Sequence, residues 1–350
     1  MKRSRSLVRP LRGLLLSALL AGLAGLAYAA PVHAAEQPMA PVSEAAMDAF
    51  WRGDFAALER QYALYGQPGR VDREGGSELE LFRIGLARVF RNPVDNVEPY
   101  LQEVDRLTLA WATDHPQSAL AHAMHAKALL EHGWSYRGGG YAREVPPQAW
   151  QAFQAYLQRA ANYLKQHADV ALADSYGHVV LVQIGMGLGW DRAQLIAIAD
   201  EGLKRNPEDV DLYFTTLDTL LPKWGGNARA LDSYINHATQ QTRTRFGAGM
   251  YARMYSTAAE RQYGHALFED SLADWPRMKR GFEDMLARFP DSPHGRNRYA
   301  YMACLAKDEA TLAALLAKIG DAADTAAWGE NPERSLEGCR RLAKESAPSK

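Results

Sequence analysis

The sequence predicts an all-α protein built of stacked helical hairpins, and three observations carry this prediction. Apolar residues recur at helical spacings along nearly the whole chain from Pro41, and no run alternates apolar and polar residues as a half-buried strand would. A recurring proline punctuation is present at Pro116, Pro207 and Pro290: each proline ends one predicted helix and is followed by a Ser or Asp that can cap the next. These prolines lie 91 and 83 residues apart, which halves to a unit of about 40 to 45 residues, typical of helical-hairpin arrays.

The predicted helices follow in chain order. A Gly53-Asp54 break divides the first segment, and the Val179 to Val182 run, although strand-like, fits a helix because Tyr176, Val180 and Ile184 share one face. The most amphipathic segment carries Trp150, Phe153, Leu157, Ala160, Ala161 and Leu164 on one side. The predicted ranges are 45–65, 78–91, 97–112, 118–131, 150–165, 171–184, 192–205, 209–221, 229–242, 249–263, 277–289, 296–305, 309–319 and 332–344.

One of these segments resembles a known repeat. Residues 193–206 are similar to the second helix of a tetratricopeptide repeat, with Ala193, Ile196, Ala197 and Leu203 in matching places before an Asn-Pro stop. The opening Trp and the Leu-Gly pair of that repeat are absent, so the resemblance implies divergent repeats. We therefore expect a tetratricopeptide-like α-solenoid.

The first 35 residues are predicted to be an export signal. Five basic residues precede an apolar Leu/Ala-rich core, and two small-residue cleavage patterns follow it. An uncleaved membrane anchor is the alternative, because the apolar run approaches the minimum length of a spanning helix. Removing residues 1–35 leaves 35 Lys and Arg against 41 Asp and Glu. We expect a periplasmic or secreted protein with no transmembrane segment after processing and no affinity for nucleic acid.

The remainder is predicted to form one domain. Residues 36–345 contain no Pro/Ser-rich linker, and in a solenoid each hairpin buries its face on the next, so the core extends without a boundary. Residues 346–350 are predicted to be a frayed tail.

Only two cysteines are present, Cys304 and Cys339. An even count in an exported protein favours a disulfide that would hold the C-terminal segment to an earlier helix. Two unpaired buried thiols are the alternative.

A glycine-rich aromatic segment, residues 133–143, separates two predicted helices and is the leading candidate for a partner-binding loop. Aromatic rings supply contact area, consecutive glycines allow close approach, and arginine can contact an anion. A second Trp-and-glycine loop follows Pro222 and would contribute only if both loops lie on the same rim. The alternative is that both are connectors packed by their own aromatics. The candidate binding residues are Trp134, Tyr136, Arg137, Gly138, Gly139, Gly140, Tyr141 and Trp224.

Three histidines form a weaker candidate. His122, His125 and His132 fall within an arc of about 80° on one helix, and imidazoles on one face can bind a transition metal. No carboxylate completes the set at an adjacent helical position, and Ala126 and Leu129 share that face. The alternative is that these are partly buried structural histidines. We expect no cofactor.

Linear enzyme motifs are missing. The chain has no Gly-x-Ser-x-Gly elbow, no His-Glu-x-x-His, and no phosphate-binding loop. A catalytic site assembled from distant residues is not excluded by that absence.

Several C-terminal segments together are similar to a known bacterial family. Residues 274–292 (DWPRMKRGFEDMLARFPDS), 297–308 (NRYAYMACLAKD) and 220–226 (LLPKWGG), with Trp328 and Cys339, resemble the family called domain of unknown function 4034. The resemblance spans most of the chain after the signal. It implies a tetratricopeptide-like helical protein and transfers no catalytic residues.

These observations predict an exported helical-repeat protein that binds or scaffolds a partner, another envelope protein or a peptide. The contact surface is expected on the concave face and at the two tryptophan loops. The alternative is an envelope enzyme, or a metal-binding protein that uses the face of His122, His125 and His132.

Overall fold

The computed structural model describes residues 40–90, 96–139 and 142–345, and within these ranges the protein is all-α. The predicted signal at 1–35, Gly140, Tyr141 and the tail at 346–350 lie outside the described residues. A single antiparallel bridge, Val71 to Ser77, is the one extended pairing in the described ranges.

Eighteen α-helices lie within the described ranges. They are α1 (Pro41–Trp51), α2 (Phe55–Tyr65), α3 (Glu78–Arg88), α4 (Val97–Asp114), α5 (Ala119–Arg137), α6 (Pro147–Gln166), α7 (Ala168–Ala171), α8 (Ser175–Leu188), α9 (Arg192–Leu203), α10 (Val210–Leu220), α11 (Ala228–Gln241), α12 (Arg243–Phe246), α13 (Gly249–Ala258), α14 (Leu267–Asp270), α15 (Trp275–Arg288), α16 (Pro293–Leu305), α17 (Glu309–Ile319) and α18 (Pro332–Glu345).

The proline punctuation works as the sequence predicts. Ser118, Asp209 and Ser292, each two residues after one of the three prolines, accept a hydrogen bond from the backbone N–H three residues further along the chain. Each bond satisfies one of the N–H groups that the first turn of a helix leaves without a partner. The proline stop and the polar cap thus place the starts of α5, α10 and α16.

Helix α5 lies at the centre of the packing. It contacts α4, α6 and α8, and it is buried on every side rather than along one stripe. A helix enclosed in this way needs small and apolar residues all round, which is why its sequence is rich in alanine and leucine. α6, which keeps one polar side, covers α5 with the predicted stripe from Phe153 to Leu164.

The predicted end of α5 at residue 131 is wrong. The helix continues through Arg137 and ends at Gly138, whose φ of 68° is favourable for glycine alone. Gly133, which the sequence suggested would begin a loop, is inside the helix, and it is a glycine because a Cβ there would lie 2.6 Å from Leu157 Cδ1 on α6. Trp134, Tyr136 and Arg137 are therefore helical residues, and the connecting loop is shorter than predicted.

Two further predicted helices are divided in the structure. The segment predicted at 171–184 is split between the end of α7 and α8, which runs on to Leu188. In the segment predicted at 249–263, the first part forms α13, and Ala259–Tyr263 continues the chain as a π-helix. Widened turns of this kind often accompany functional sites.

The cysteines form the predicted pair. Cys304 on α16 and Cys339 on α18 are joined with an S–S distance of 2.04 Å and a Cα–Cα distance of 5.7 Å. The bond holds the last helix to α16, and Trp328, in the segment between the two cysteines, is fully buried and donates to Asn297 Oδ1.

Neighbouring helices account for most of the packing, but distant segments also meet. The turn at 66–76 lies against Phe289, and Ser292 donates a hydrogen bond of 2.5 Å to Glu74. A strictly one-dimensional stack makes no such contact. Among the described helices, none has the length and apolar character needed to cross a membrane.

Candidate ligand groove

Both tryptophan segments predicted as candidates line one groove, with a cavity volume of about 1080 Å³. We call it the tryptophan groove and define it by the half-buried rings of Trp134, Trp150 and Trp224 and by the floor residues Lys127 and Gln183. Five helices and one turn build it: α4, α5, α6, α8, α10 and the 3₁₀ turn Pro222–Trp224.

The three indoles converge although they come from distant parts of the chain. The rings of Trp134 and Trp224 lie 6.1 Å apart and nearly perpendicular, at 88°. Phe153 meets Trp134 edge to face at 4.8 Å and Trp150 at 5.7 Å. Such edge-to-face pairs are stabilising and fix ring orientation. The two tryptophan segments therefore do share one rim.

Arg137 lies against two of these rings. Its guanidinium carbon is 5.0 Å from the Trp134 ring centre and 5.2 Å from that of Trp150. Its Nη1 also donates to the carbonyl oxygen of Gly138 at 2.9 Å. Cation–π contact holds the arginine at the wall.

The floor carries a buried ion pair. Lys127 is only 8 % exposed, and its Nζ lies 2.7 Å from Glu131 Oε1 and donates to Gln183 Oε1 at 2.7 Å. Glu131 is one turn further along α5, and Gln183 comes from α8. Burial of a charge is costly unless partners compensate, so a lysine at the base of a cavity is a notable arrangement.

Asp218 adds a second carboxylate at the edge of the groove. Its Oδ2 lies 2.5 Å from Arg261 Nη1, and burial raises the pKa of Asp218 above its usual range despite that arginine. Its Oδ1 is buried and has no hydrogen-bond partner among the described residues.

The turn that carries Trp224 is held by the π-helix. The backbone N–H of Lys223 donates to Gln262 Oε1 at 3.0 Å, and its Nζ donates to the carbonyl oxygen of Arg261 at 2.9 Å. Gly225, with a φ of 77°, then ends the turn. The third wall of the groove thus depends on contacts with residues 261 and 262.

The other candidate binding residues divide between the groove and its surroundings. Gly138 and Gly139 line it, with open space where a Cβ would stand. Tyr136 does not line it: its hydroxyl donates to Glu98 Oε2 at 2.8 Å, and its ring lies parallel to His132. Gly140 and Tyr141 are outside the described residues.

The three histidines share one helix, but each is engaged separately. His122 Nε2 lies 3.1 Å from the carbonyl oxygen of Pro116 and therefore carries the proton, so Nδ1 accepts from the Tyr163 hydroxyl at 2.8 Å. His125 Nδ1 lies 3.1 Å from Thr108 Oγ1, and His132 Nε2 lies 3.1 Å from Glu98 Oε2.

Burial also affects the titration of two of these rings. It lowers the pKa of His122 and lowers that of His125 to about 4, so both are neutral at pH 7. Within residues 40–90, 96–139 and 142–345, no three His, Cys, Asp or Glu side chains are grouped as metal ligands would be.

The sequence interpretation missed Trp150 as a wall and Lys127, Gln183 and Asp218 as polar lining residues. One signal was available. Lys127 and Glu131 are the charged pair at i and i+4 in an otherwise Ala/Leu-rich helix, a place where a stability argument alone predicts apolar residues.

Comparison with known proteins gives no relatives: no family model, curated protein or solved structure matches the chain.

Proposed function

We propose that the protein is an exported, helical-repeat binding module whose ligand occupies the tryptophan groove. The observation that carries this proposal is the convergence of three half-buried indoles above the Lys127–Glu131 pair. A large, mostly apolar cavity with a few convergent polar groups is the arrangement expected of a ligand site.

Two features of the groove favour ligand binding over internal packing as its role. A buried ion pair is often no better for stability than apolar residues of similar volume. Three tryptophans left partly exposed forgo burial that apolar packing would have gained. Both features lower the stability of the free protein and become favourable when a ligand covers the rings and contacts the floor.

The proposed architecture is a tetratricopeptide-like stack of helical hairpins. It is supported by the contacts between successive helices, such as α4 with α5, α5 with α6 and α8 with α9. The disulfide between Cys304 and Cys339 supports export, because such bonds persist in oxidising compartments.

No observation favours the alternative of an envelope enzyme or a metal-binding protein that uses His122, His125 and His132. Each of these rings is buried in its own set of contacts, outside the tryptophan groove.

Affinity capture with the full chain tests the binding function. Wild-type protein is immobilised and exposed to an extract of cell envelopes, and the retained molecules, small or large, are identified by mass spectrometry. Trp224→Ala removes one groove wall. Trp275→Ala is the matched control, because Trp275 is also half-buried and also makes an edge-to-face contact, with Phe268 outside the groove.

We expect a molecule retained by the wild type and by Trp275→Ala and lost from Trp224→Ala, with circular dichroism confirming that both variants are folded. Equal retention by all three proteins would contradict a ligand site in the groove.

A further inference from the structure

We propose that the ligand of the tryptophan groove is a neutral oligosaccharide. This inference rests on the proposed function, since it names the chemical class of the molecule that the groove would bind.

The walls suit the faces of sugar rings. An indole face carries partial negative charge, and the axial C–H groups of a pyranose carry partial positive charge, so the two surfaces attract when they stack. Trp134, Trp150 and Trp224 all line the groove, and the exposed backbone at Gly138 and Gly139 leaves room for a rigid ring to approach.

The floor suits hydroxyl groups. A hydroxyl both donates and accepts hydrogen bonds, and here the lining offers both donors and acceptors. Lys127 Nζ has three N–H groups, of which Glu131 and Gln183 engage two, and the Glu131 carboxylate and the Gln183 amide oxygen are acceptors beside it. A sugar hydroxyl can accept from the lysine or donate to one of these oxygens.

The charge of the lining fits a neutral molecule. Lys127, Arg137 and Lys223 are basic and Glu131 and Asp218 are acidic, so the two signs nearly balance. Lys127 is already paired with Glu131, and Asp218 is already paired with Arg261. A ligand of high net charge would gain little from such a surface.

The same polar groups disfavour the other occupants. An acyl chain would bury the Lys127–Glu131 ion pair against hydrocarbon, which costs free energy because an acyl chain offers no hydrogen bonds. A proline-rich peptide fits aromatic grooves, but proline has no backbone N–H to donate to Glu131.

The size of the groove indicates an oligomer. Its volume of about 1080 Å³ lies just above the ~300–1,000 Å³ typical of small-molecule pockets. A chain of several sugar rings uses that space better than a single ring.

Isothermal titration calorimetry on the full chain provides the test. The probes are chitohexaose, cellohexaose and maltohexaose, which differ in N-acetylation and in linkage, together with a decaproline peptide and laurate. The proteins are the wild type, Trp224→Ala, Lys127→Met and the control Trp275→Ala, each checked for its thermal unfolding midpoint.

We expect at least one hexasaccharide to bind the wild type and Trp275→Ala equally, and to bind Trp224→Ala and Lys127→Met at least about tenfold more weakly. Decaproline or laurate binding that depends on Trp224, with no hexasaccharide binding, overturns the sugar assignment and leaves the binding function standing. Hexasaccharide binding that none of the groove variants weakens also overturns it. Absence of any groove-dependent ligand, here and in envelope capture, overturns both.

Discussion

Two buried cations, Arg83 and Lys127, stand in contrasting surroundings. Arg83, on α3, is 5 % exposed, and its Nη1 donates to Asp209 Oδ2 at 2.9 Å and to Asp211 Oδ2 at 3.0 Å. Its Nη2 donates to the Tyr62 hydroxyl at 3.0 Å, and its guanidinium lies 4.7 Å from the centre of the Tyr176 ring. The Arg83 cluster therefore joins α2 and α3 to α8 and α10.

Lys127 is bonded within α5 and to the neighbouring α8, so it joins elements that already pack together. It borders the tryptophan groove, whereas the cavity beside Arg83 is smaller, about 380 Å³, and is bordered by the polar turn at 66–70. The two buried cations therefore differ in what they contact and in what they connect. Arg83 connects segments more than 120 residues apart, and Lys127 places a charge at the border of the tryptophan groove.

The largest expected effect comes from Arg83→Met. It leaves Asp209, which is almost fully buried, without its cation, and loss of one partner of a buried ion pair costs about 3–5 kcal/mol. Urea denaturation measures the free energy of unfolding. A loss below about 1 kcal/mol would contradict a structural role for the Arg83 cluster.

The pH dependence of stability gives a second, smaller effect. Burial raises the pKa of Asp211 to about 7, helped by the charges of Asp209 and Glu80 and opposed by Arg83. In the unfolded chain Asp211 releases its proton near pH 4, while the folded protein retains it up to about pH 7. As the pH rises from about 4 to about 7, the free energy of unfolding therefore falls. Above about pH 7, Asp211 causes no further change.

Asp211→Asn should remove this fall in the free energy of unfolding. We expect the variant to match the wild type near pH 4 and to be more stable than it at pH 8, in urea denaturation at each pH. Asp209→Asn is the control, and it should lower rather than raise the stability at pH 8. Burial raises the pKa of Asp209, but Arg83 and Ser175 together lower it below its usual range, so its ionised form stabilises the fold at pH 8. If the free energy of unfolding still falls to the same extent with rising pH in Asp211→Asn, a group other than Asp211 is responsible.

The smallest expected effect on stability comes from Lys127→Met. Methionine keeps most of the side-chain volume, and water in the groove can hydrate Glu131, so we expect a loss of only about 1–2 kcal/mol. Lys204→Met, which breaks an exposed pair with Glu201, provides the baseline of at most about 0.5 kcal/mol. A loss as large as that of Arg83→Met would make the two buried cations equivalent and weaken the case for the groove.

The comparison also explains which features the sequence could predict. The stripe on α6 and the caps after Pro116, Pro207 and Pro290 depend on neighbours within a few residues, and they form as expected. The end of α5 was misplaced because Gly133 looks like a loop residue locally. Its reason, the close approach of α6, is visible only when the two helices are packed.

The two buried-charge sites show the same limit. Arg83 finds its carboxylates 126 and 128 residues away, and nothing near it in the sequence signals them. The sequence identified Trp134 and Trp224 as candidates, but their meeting depends on how α5 and α10 are placed. Trp150 was assigned to the core stripe because its helical position is the same as that of a core residue.

The anchoring of Lys223 on Arg261 and Gln262 has a consequence for how the protein matures during synthesis. All three indoles of the groove have been synthesised once residue 224 is made, yet the contacts that hold the third wall come from residues 261 and 262, which follow later in the chain. A nascent chain that has folded only through α11 would carry all three rings without the support that sets their spacing. The groove that we propose as the ligand site would then be complete only after the π-helix has formed and met the turn of Lys223.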